Sequence, residues 1–438
     1  MMKTYLISLL LGIAPLSAAT PAANFNASSE VLAQYGCDAE CQAVFTAAQA
    51  KDRELVAAYR FQYTSKDLDG SLVPVTGFIA IPYTTLLRDR KYSLIAYAHG
   101  TIGVFRGCPP TTTQTLYDYT SWSLLIQRGY AIVATDYAGL GNNHTQHKYL
   151  SFPAHANDLY YSVVAARKAF PSLFTDEWMS IGHSQGGGAV WKLSEGKLHS
   201  KPSAAGTYIG TVALAPASKI YDMTLLAFSK VATSPNYDEW TVTYELPWLP
   251  LAVKRVFPDI NFSFLGEKFL SRVALAERTQ SCYYSIMSLM YGLTPSDMLS
   301  ESSPADLTDV QKLREWQDLV APANGDRSSS PLLIIMGMND TAVLPETTIA
   351  SFDDTCGFGN EAHLRLYEGM DHTDVMLASA PEWFGFVDEQ FGMPGRARGC
   401  PAPARGCTRK TYRPFDAEHM VTEAEVDEMQ DLRAGLRC

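Results

Sequence analysis

The sequence predicts an α/β protein: a mostly parallel β-sheet flanked by helices, with a helical insertion. Two patterns predict this fold class. Short apolar runs alternate with segments of helical spacing along most of the 438 residues, as in proteins whose parallel strands are joined by crossover helices. The interiors of these runs are continuously apolar, which is typical of strands buried on both faces. A hydrophobic share of 47% supplies enough apolar side chains for a large core.

The elements are expected in the following order. A segment of helical spacing, SSEVLAQYGCDAECQAVFTAAQA, comes first. Two alternating runs then flank Asp69-Gly70, which predicts a β-hairpin. Strands follow at YSLIAYAHG, YAIVATDYAGLG, WMSIGHS, IGTVALAPAS, PLLIIMGMND and EAHLRLYEGMDH, with helices at SWSLLIQRG, HANDLYYSVVAARKAF, GGGAVWKLSEGKL and DVMLASAPEWFGFVDEQFG. Because such sheets bind ligands at the carboxyl ends of their strands, functional residues are expected in the loops after these strands.

Residues 218–309 break this alternation. They are rich in aromatic residues, Leu and Met between Pro and Gly breaks, which predicts several short amphipathic helices. Because the stretch lies between two predicted strands, we interpret it as a cap, or lid, over the strand ends. The alternative is an ordinary helical layer on the sheet.

The N-terminal residues predict a secretory signal peptide over residues 1–19. Lys3 precedes an apolar run from about Tyr5 to Leu16. Small residues follow, so cleavage is expected near Ala19. The run is shorter than the roughly 20 residues that span a bilayer, which favours a cleaved signal over a membrane anchor. We therefore expect a secreted, extracellular protein.

The cysteines and sequons agree with that compartment. An even number of cysteines in a secreted chain predicts disulfides, although the sequence alone determines no pairing. The eight are Cys37, Cys41, Cys108, Cys282, Cys356, Cys400, Cys407 and Cys438. N-glycosylation is expected at Asn26, Asn143 and Asn261. A fourth sequon begins at Asn339, beside a candidate active-site loop, and we expect it to carry no glycan.

The charge balance excludes several classes of partner. The chain has 35 Lys and Arg against 46 Asp and Glu, a formal net charge of −11. No long basic run is present, so we expect no nucleic-acid partner. A negative surface disfavours docking on anionic membranes. No cysteine pair has the CxxC spacing that favours zinc, and we predict no metal site.

Ser184 is the candidate nucleophile. Gly182-His183-Ser184-Gln185-Gly186 follows a predicted strand and opens a predicted helix, the context of a nucleophile elbow. The serine of such an elbow has a strained backbone, and glycines two residues before and after it remove side chains that would collide. A tightly packed turn without chemistry is the alternative.

Asp340 and His372 are the candidate acid and base. Each follows a predicted strand, and the order Ser184, Asp340, His372 is the chain order of α/β-hydrolases. Asp371 and Asp374 flank the histidine and compete for the acid role, but chain neighbours rarely meet the ring correctly. Asp136, at another strand end, is a further rival that we interpret as structural.

The oxyanion hole is expected to use two backbone N–H groups. One belongs to Gln185, the residue after the nucleophile. The second is expected from Thr101 in the loop AHGTIG, assisted by its hydroxyl. His99 in the same loop is interpreted as a packing residue.

With these residues placed, the chain resembles the fungal secretory lipase family of α/β-hydrolases, the lipase A-like group. The resemblance covers nearly the whole mature chain and rests on the elbow at Ser184, the acid at Asp340, the base at His372 and the cap after the sixth strand. It implies an α/β-hydrolase fold and a serine esterase or lipase with a helical lid and an acyl tunnel in that lid.

The resemblance also implies disulfides. The two disulfides of the family imply Cys108–Cys282, joining core and cap, and Cys356–Cys400. Cys37–Cys41 and Cys407–Cys438 would then remain as the other pairs.

The predicted function is therefore a secreted serine carboxylic-ester hydrolase, a lipase or esterase for apolar acyl esters. It would act through an acyl-enzyme without a metal or organic cofactor. We expect a monomer whose substrate is a small-molecule or lipid ester, with the cap as the surface for transient contact with a lipid interface.

Two other functions stay open. A serine peptidase of the aminopeptidase type on the same fold would need acids in the cap to hold an amine, and Glu239, Asp259 and Glu277 are present there. A catalytically silent binding protein on a hydrolase scaffold is the alternative from another class.

The predicted organisation divides the chain into four parts. They are the signal peptide at 1–19, the hydrolase core at 20–217 and 310–398, the cap at 218–309, and a disulfide-bearing C-terminal tail at 399–438. We expect the tail to be a stapled terminus; the alternative is a flap over the site.

Overall fold

A computed structural model describes most of the core and cap. The described residues are 14–15, 57–85, 87, 91–196, 204–231, 234, 239–245, 248–262, 264–300, 307–393 and 406–414. Several predictions lie outside them: the N-terminal helical segment, the cleavage site near Ala19, Asn26, and Cys37, Cys41, Cys400 and Cys438.

The described strands form one sheet. They are β1 Ala14–Pro15, β2 Ala57–Lys66, β3 Leu72–Ile81, β4 Tyr92–Ala98, β5 Ala131–Thr135, β6 Phe174–His183, β7 Thr207–Leu214, β8 Leu332–Gly337, β9 Ala362–Tyr367 and β10 Cys407–Tyr412. Their order is β1-β2-β3-β5-β4-β6-β7-β8-β9-β10. β1, β2, β3 and β5 pair antiparallel in succession, and all pairings from β5 to β10 are parallel. The predicted mostly parallel sheet is confirmed, and the predicted hairpin at Asp69-Gly70 joins β2 to β3.

Helices cover this sheet and form its insertion. They are α1 Ser123–Gln127, α2 Phe152–Ala169, α3 Gln185–Ser194, α4 Ile220–Lys230, α5 Val242–Glu245, α6 Leu249–Lys254, α7 Glu267–Thr279, α8 Tyr283–Met290, α9 Pro295–Met298, α10 Leu307–Val320, α11 Pro345–Gly357, α12 Asp374–Ala378 and α13 Ala380–Gln390. Helices α4 to α9 lie in the predicted cap, and α10 leads back to β8. No helix of the described residues is both long and apolar enough to span a bilayer.

The core lies along the central parallel strands. Every residue of β5 and β8 is buried, as the continuously apolar runs predicted. Trp178 of β6 and Trp191 of α3 are fully buried. A rigid sheet of this kind fixes the positions of the loops at its strand ends, where the candidate site lies.

The structure confirms one expected disulfide and corrects two, Cys356–Cys400 and Cys407–Cys438. Cys108 is bonded to Cys282, as the resemblance implied. Cys356, however, is bonded to Cys407 and not to Cys400. The reason is that Cys407 begins β10, which pairs in parallel with β9 and brings that cysteine beside α11. This last strand of the sheet was not predicted, because CTRKTY is short and polar.

Candidate active site

Ser184 lies at a sharp turn between β6 and α3. Its backbone has a φ of 59° and a ψ of −119°, a conformation that L-residues rarely adopt. A Cβ atom on Gly182 would lie 2.2 Å from the Gly186 carbonyl oxygen, and one on Gly186 would lie 2.0 Å from the Ala98 carbonyl oxygen. Only glycines let this turn close against β4, which is the geometry expected of an elbow.

Asp340 and His372 are hydrogen-bonded to each other. His372 Nδ1 lies 2.6 Å from Asp340 Oδ2. The other carboxylate oxygen, Oδ1, accepts hydrogen bonds from the N–H groups of Ala342 and Val343, each at 2.8 Å. Because the carboxylate can only accept, Nδ1 carries the hydrogen and Nε2 is left with a lone pair. The arrangement gives the histidine the tautomer that a general base requires.

The pKa of His372 is raised above its ordinary value. Burial alone would lower this pKa, but the charge of Asp340, its hydrogen bond and the charge of Glu245 outweigh burial. The imidazole is therefore a stronger base than a free histidine. Ser184 and His372 line the same cavity of about 110 Å³, together with Thr101. The structure thus brings together all three residues predicted as acid, base and nucleophile.

His183 connects the histidine loop to the loop after β4. Its Nε2 lies 2.9 Å from the His372 carbonyl oxygen, and its Nδ1 lies 2.8 Å from the Tyr119 hydroxyl. The Tyr119 hydroxyl also accepts the N–H of Gly100 at 3.3 Å. Since a carbonyl only accepts, His183 Nε2 carries the hydrogen and Nδ1 accepts from Tyr119. One chain of hydrogen bonds therefore holds the elbow and both neighbouring loops in place.

Of the two predicted oxyanion donors, Thr101 lines this cavity, and both Thr101 and Gln185 line a narrow cleft that Ser184 also lines. Gln185 is the first residue of α3, where a backbone N–H has no acceptor within the helix. Thr101 is held by the Tyr117 hydroxyl, which donates to its carbonyl oxygen at 2.5 Å, and by a hydrogen bond between its own hydroxyl and that of Tyr149 at 2.9 Å. These two hydrogen bonds hold Thr101 in place, and its N–H group is the candidate donor.

A buried histidine pair lies behind Gln185. The Gln185 side-chain Nε2 lies 3.3 Å from His147 Nε2 and 3.1 Å from His155 Nε2. The two imidazoles stack with ring centroids 5.1 Å apart. Burial lowers the pKa of His147 to about 3 and that of His155 well below its ordinary value. Sequence reasoning missed the histidine pair, because neither His147 nor His155 belongs to a motif and each meets Gln185 from a distant part of the chain.

A narrow cleft leads from Ser184 towards the cap. The cleft holds about 20 Å³ and is lined by Ser184, Gln185 and Leu249 among others. Leu249 also lines a larger cavity of about 130 Å³ inside the cap. The walls of that cavity are almost wholly apolar and include Phe228, Phe262, Phe264, Phe269, Met298 and Leu313. A chain of methylene groups would match these walls.

Glu245, at the end of α5, lines both the cleft and the cavity around Ser184. The three cap acids named from the sequence, Glu239, Asp259 and Glu277, are exposed and line neither space. Sequence reasoning missed Glu245. The available signal was a lone charge in the otherwise apolar run VTYELPWLPLAV.

The rival acids have other partners. Asp371 Oδ1 accepts the N–H groups of Thr373 and Asp374 at 2.8 and 2.7 Å, as a turn-capping residue does. Asp136 is buried and accepts from Thr76 Oγ1 at 2.7 Å, and also from Thr111. His99 packs against Tyr137 with ring centroids 4.4 Å apart. Neither Asp136 nor Asp371 contacts the His372 ring in the way Asp340 does.

The remaining predicted positions are peripheral. Asn143, Asn261 and Asn339 are exposed in the structure. Among the described residues, no group of three or more His, Cys, Asp or Glu side chains is placed to hold a metal ion.

Comparisons with known proteins relate the chain to others by structure alone. No protein-family model matches it, and no curated protein matches it in sequence. The rice cell wall degrading esterase LipA from Xanthomonas oryzae is similar, with 16% identity over 78% of this chain and 92% of that one and a TM-score of 0.59. Candida antarctica lipase A is similar with 13% identity over 96% of both chains and a TM-score of 0.59. The closed state of Candida antarctica lipase A is similar with 14% identity over 89% of this chain and 91% of that one, and the TM-score is again 0.59. The chain has the α/β-hydrolase fold.

Proposed function

We propose that the protein is a secreted serine carboxylic-ester hydrolase that acts on apolar acyl esters. One arrangement carries the proposal. Ser184 has a positive φ at the turn between β6 and α3, and it lines the same cavity as His372. The Nδ1 of His372 is in turn hydrogen-bonded to buried Asp340. Similar folds in a lipase and an esterase support it, because they place ester hydrolysis on this scaffold.

The reaction would proceed in two halves. Ser184 Oγ attacks the ester carbonyl carbon while His372 Nε2 takes the hydroxyl proton. The carbonyl oxygen becomes an oxyanion, which the N–H groups of Gln185 and Thr101 stabilise. Collapse breaks the bond to the alcohol, which leaves with the proton from His372. Water then attacks the acyl-enzyme by the same steps and releases the acid.

The acyl chain would occupy the narrow cleft and the apolar cap cavity. Leu249 lines both spaces, so they are neighbours on either side of this side chain. Phe228 and Leu299 line the cap cavity and are 42% and 37% exposed. Apolar side chains at such an opening suit a transient contact with a lipid interface. The two disulfides are compatible with secretion.

The test is the loss of the nucleophile. Ser184→Ala is expected to abolish hydrolysis of p-nitrophenyl butyrate and labelling by a fluorophosphonate, while the circular dichroism spectrum is retained. Ser229→Ala, at an exposed serine of α4, is the matched control and should keep both. Turnover retained in Ser184→Ala would refute the proposal. Absence of a Ser184 adduct in the unmodified protein would favour a silent binding protein.

The position of Glu245 supports the peptidase alternative, because this acid lines the space around Ser184. An aminopeptidase would use such a carboxylate to hold the substrate amine. The two functions are separated by comparing leucine p-nitroanilide with p-nitrophenyl butyrate. A higher kcat/KM for the anilide would favour the peptidase.

A further inference from the structure

Glu245 occupies an unusual position for a carboxyl group. It is the last residue of α5, and it lines both the narrow cleft and the cavity around Ser184. Among the described residues that line these two spaces it is the only acid. Neither the predicted triad nor the oxyanion hole uses it.

Tyrosines surround this carboxyl group. Tyr283 lines the same cavity as Glu245, and burial together with the charge of Glu245 raises the pKa of its hydroxyl. Tyr283 and Tyr284 are in edge contact with ring centroids 5.2 Å apart, and Tyr117 and Tyr119 form a similar pair at 5.2 Å. All four rings line the cavity. A carboxylate and several tyrosine rings that line one cavity are groups that bind cationic nitrogen.

Within the described residues, no lysine or arginine forms an ion pair with Glu245. Burial raises the pKa of Glu245 to about 7, and the nearby charge of Asp340 adds to this effect while His372 opposes it. A half-buried carboxyl group without a fixed cation gains from a cation brought by a ligand.

The two spaces on either side of Ser184 differ in character. The narrow cleft and the apolar cap cavity share Leu249 as a lining residue, and their apolar walls suit the acyl chain. The cavity with the tyrosines is more polar, and Tyr284 at its edge is 63% exposed. The alcohol part of an ester bound in this way would therefore face Glu245. A net charge of −11 would also draw cationic molecules towards the protein.

We propose that this cavity binds a cationic nitrogen on the alcohol part of the ester, with Glu245 as the specificity-determining carboxylate and the tyrosine rings as the remaining walls. The inference rests on the proposed ester hydrolysis and names its substrate class. The reaction is unchanged: the ester C–O bond breaks, water is consumed, and a carboxylic acid and an amino alcohol are released.

The experiment compares two esters of the same size and shape. Butyrylcholine carries a quaternary ammonium group, and 3,3-dimethylbutyl butyrate has a neutral carbon in its place. The wild-type protein is expected to prefer butyrylcholine about tenfold or more in kcat/KM, as one cation–π and carboxylate site provides. In Glu245→Gln this ratio should fall about tenfold. Both esters share Ser184 and His372, so the ratio is insensitive to a general loss of activity.

Two further variants keep the result interpretable. Asp259→Asn removes an exposed charge of the cap that lines neither space, and it should leave the ratio unchanged. Tyr284→Ala changes an exposed side chain whose loss should not prevent folding, and it should lower the ratio. Tetramethylammonium should inhibit the wild-type protein competitively, and Glu245→Gln only at higher concentration.

The outcomes separate this inference from the proposed function. Equal kcat/KM values for the two esters, or a ratio unaffected by Glu245→Gln, would overturn the inference while ester hydrolysis stands. A preference for leucine methyl ester over butyrylcholine that depends on Glu245 would also overturn it, because the cation would then lie on the acyl side. Failure to hydrolyse either ester would count against the proposed function itself.

Discussion

His183 shows how a residue that does no chemistry can govern a site. It directly precedes Ser184 in the elbow, and its ring is hydrogen-bonded to both the His372 carbonyl oxygen and the Tyr119 hydroxyl. Burial and the neighbouring His372 lower its pKa well below the ordinary value, so it stays neutral and keeps one fixed tautomer. We therefore regard His183 as a positioning residue.

Replacing His183 is expected to misplace the catalytic histidine. His183→Phe keeps a ring but loses both hydrogen bonds, and kcat for p-nitrophenyl butyrate should fall about 10- to 100-fold with a smaller change in KM. His183→Gln retains an N–H donor near the Nε2 position and should recover part of the loss. Active sites are counted by fluorophosphonate titration. Unchanged kcat per titrated site would contradict a positioning role.

The pKa of His372 predicts the acid limb of the activity profile. Only the neutral imidazole can accept the Ser184 proton, so kcat/KM should fall as pH drops through this pKa. Because the pKa is raised above its ordinary value, about 6.5, the midpoint should lie above that pH. The profile is measured from about pH 5 to about pH 9, which covers the range in which histidines titrate.

Asp340→Asn tests whether the acid limb of the profile belongs to His372. Its Oδ1 can still accept the Ala342 and Val343 N–H groups, but an amide would face His372 Nδ1 and favour the wrong tautomer. A fall in kcat on the order of 10³- to 10⁴-fold is expected. The midpoint of the acid limb should move to lower pH, since burial then dominates. A midpoint that stays in place would assign the limb to another group.

At the scale of elements, helix α6 is expected to set acyl-chain selectivity. Leu249 at its start separates the narrow cleft from the cap cavity. Leu249→Trp should block the passage, and each methylene left unburied costs about 0.8 kcal/mol of binding free energy. The ratio of kcat/KM for p-nitrophenyl laurate to that for the butyrate should therefore fall. Leu225→Trp, at a cap leucine that is 51% exposed and lines neither space, is the control.

The two described disulfides connect different elements and should have different effects. Cys108–Cys282 joins the loop after β4 to the start of α8, where the Tyr283 N–H donates to the Ile102 carbonyl oxygen at 2.7 Å. Replacing both cysteines by serine should lower the free energy of unfolding by about 2–5 kcal/mol and also reduce kcat/KM.

The second disulfide, Cys356–Cys407, serves as the comparison for Cys108–Cys282, because it joins α11 to β10 at the edge of the sheet. Its removal should lower stability by about 2–4 kcal/mol while kcat/KM stays unchanged. Denaturant unfolding and ester kinetics on both double variants measure the difference. Equal losses of kcat/KM would show that the cap disulfide has no special role in the site.

At the scale of the whole molecule, buried histidines couple stability to pH. The pKa of His147 is lowered by burial to about 3, whereas the unfolded residue titrates near its ordinary value. Between these two pKa values the unfolded chain binds a proton that the folded protein does not, so this group makes stability fall as pH falls. Buried acids such as Asp158, whose pKa is raised to about 7 by burial, act in the opposite direction.

The contribution of His147 is therefore best measured by comparing the pH dependence of stability in the wild-type protein and in His147→Gln. Below about pH 6 it should amount to about 1.4 kcal/mol of unfolding free energy per pH unit. His147→Gln loses the hydrogen bond to the Ala138 carbonyl oxygen and should be less stable at neutral pH, but its stability should decline less steeply on acidification. Denaturant unfolding at pH 4 to 7, roughly this window, gives both slopes. Parallel slopes would contradict the prediction.

The sequence by itself determined the fold class, the hairpin and most of the strands, and it named Ser184, Asp340 and His372 as candidate site residues. These follow from local causes. Strand and helix periodicity, glycines at a strained turn and polar residues after apolar runs are all patterns of near neighbours in the chain.

Only the tertiary structure decided the rest. It placed Glu245 beside Ser184, stacked His147 on His155 behind Gln185, linked His183 to His372, and paired Cys356 with Cys407 through a strand that the sequence did not indicate. Apart from the stacked histidines, these contacts join residues far apart in the chain, and no periodic or motif signature predicts any of them. Their proximity is a consequence of sheet order and cap packing, which no local pattern encodes.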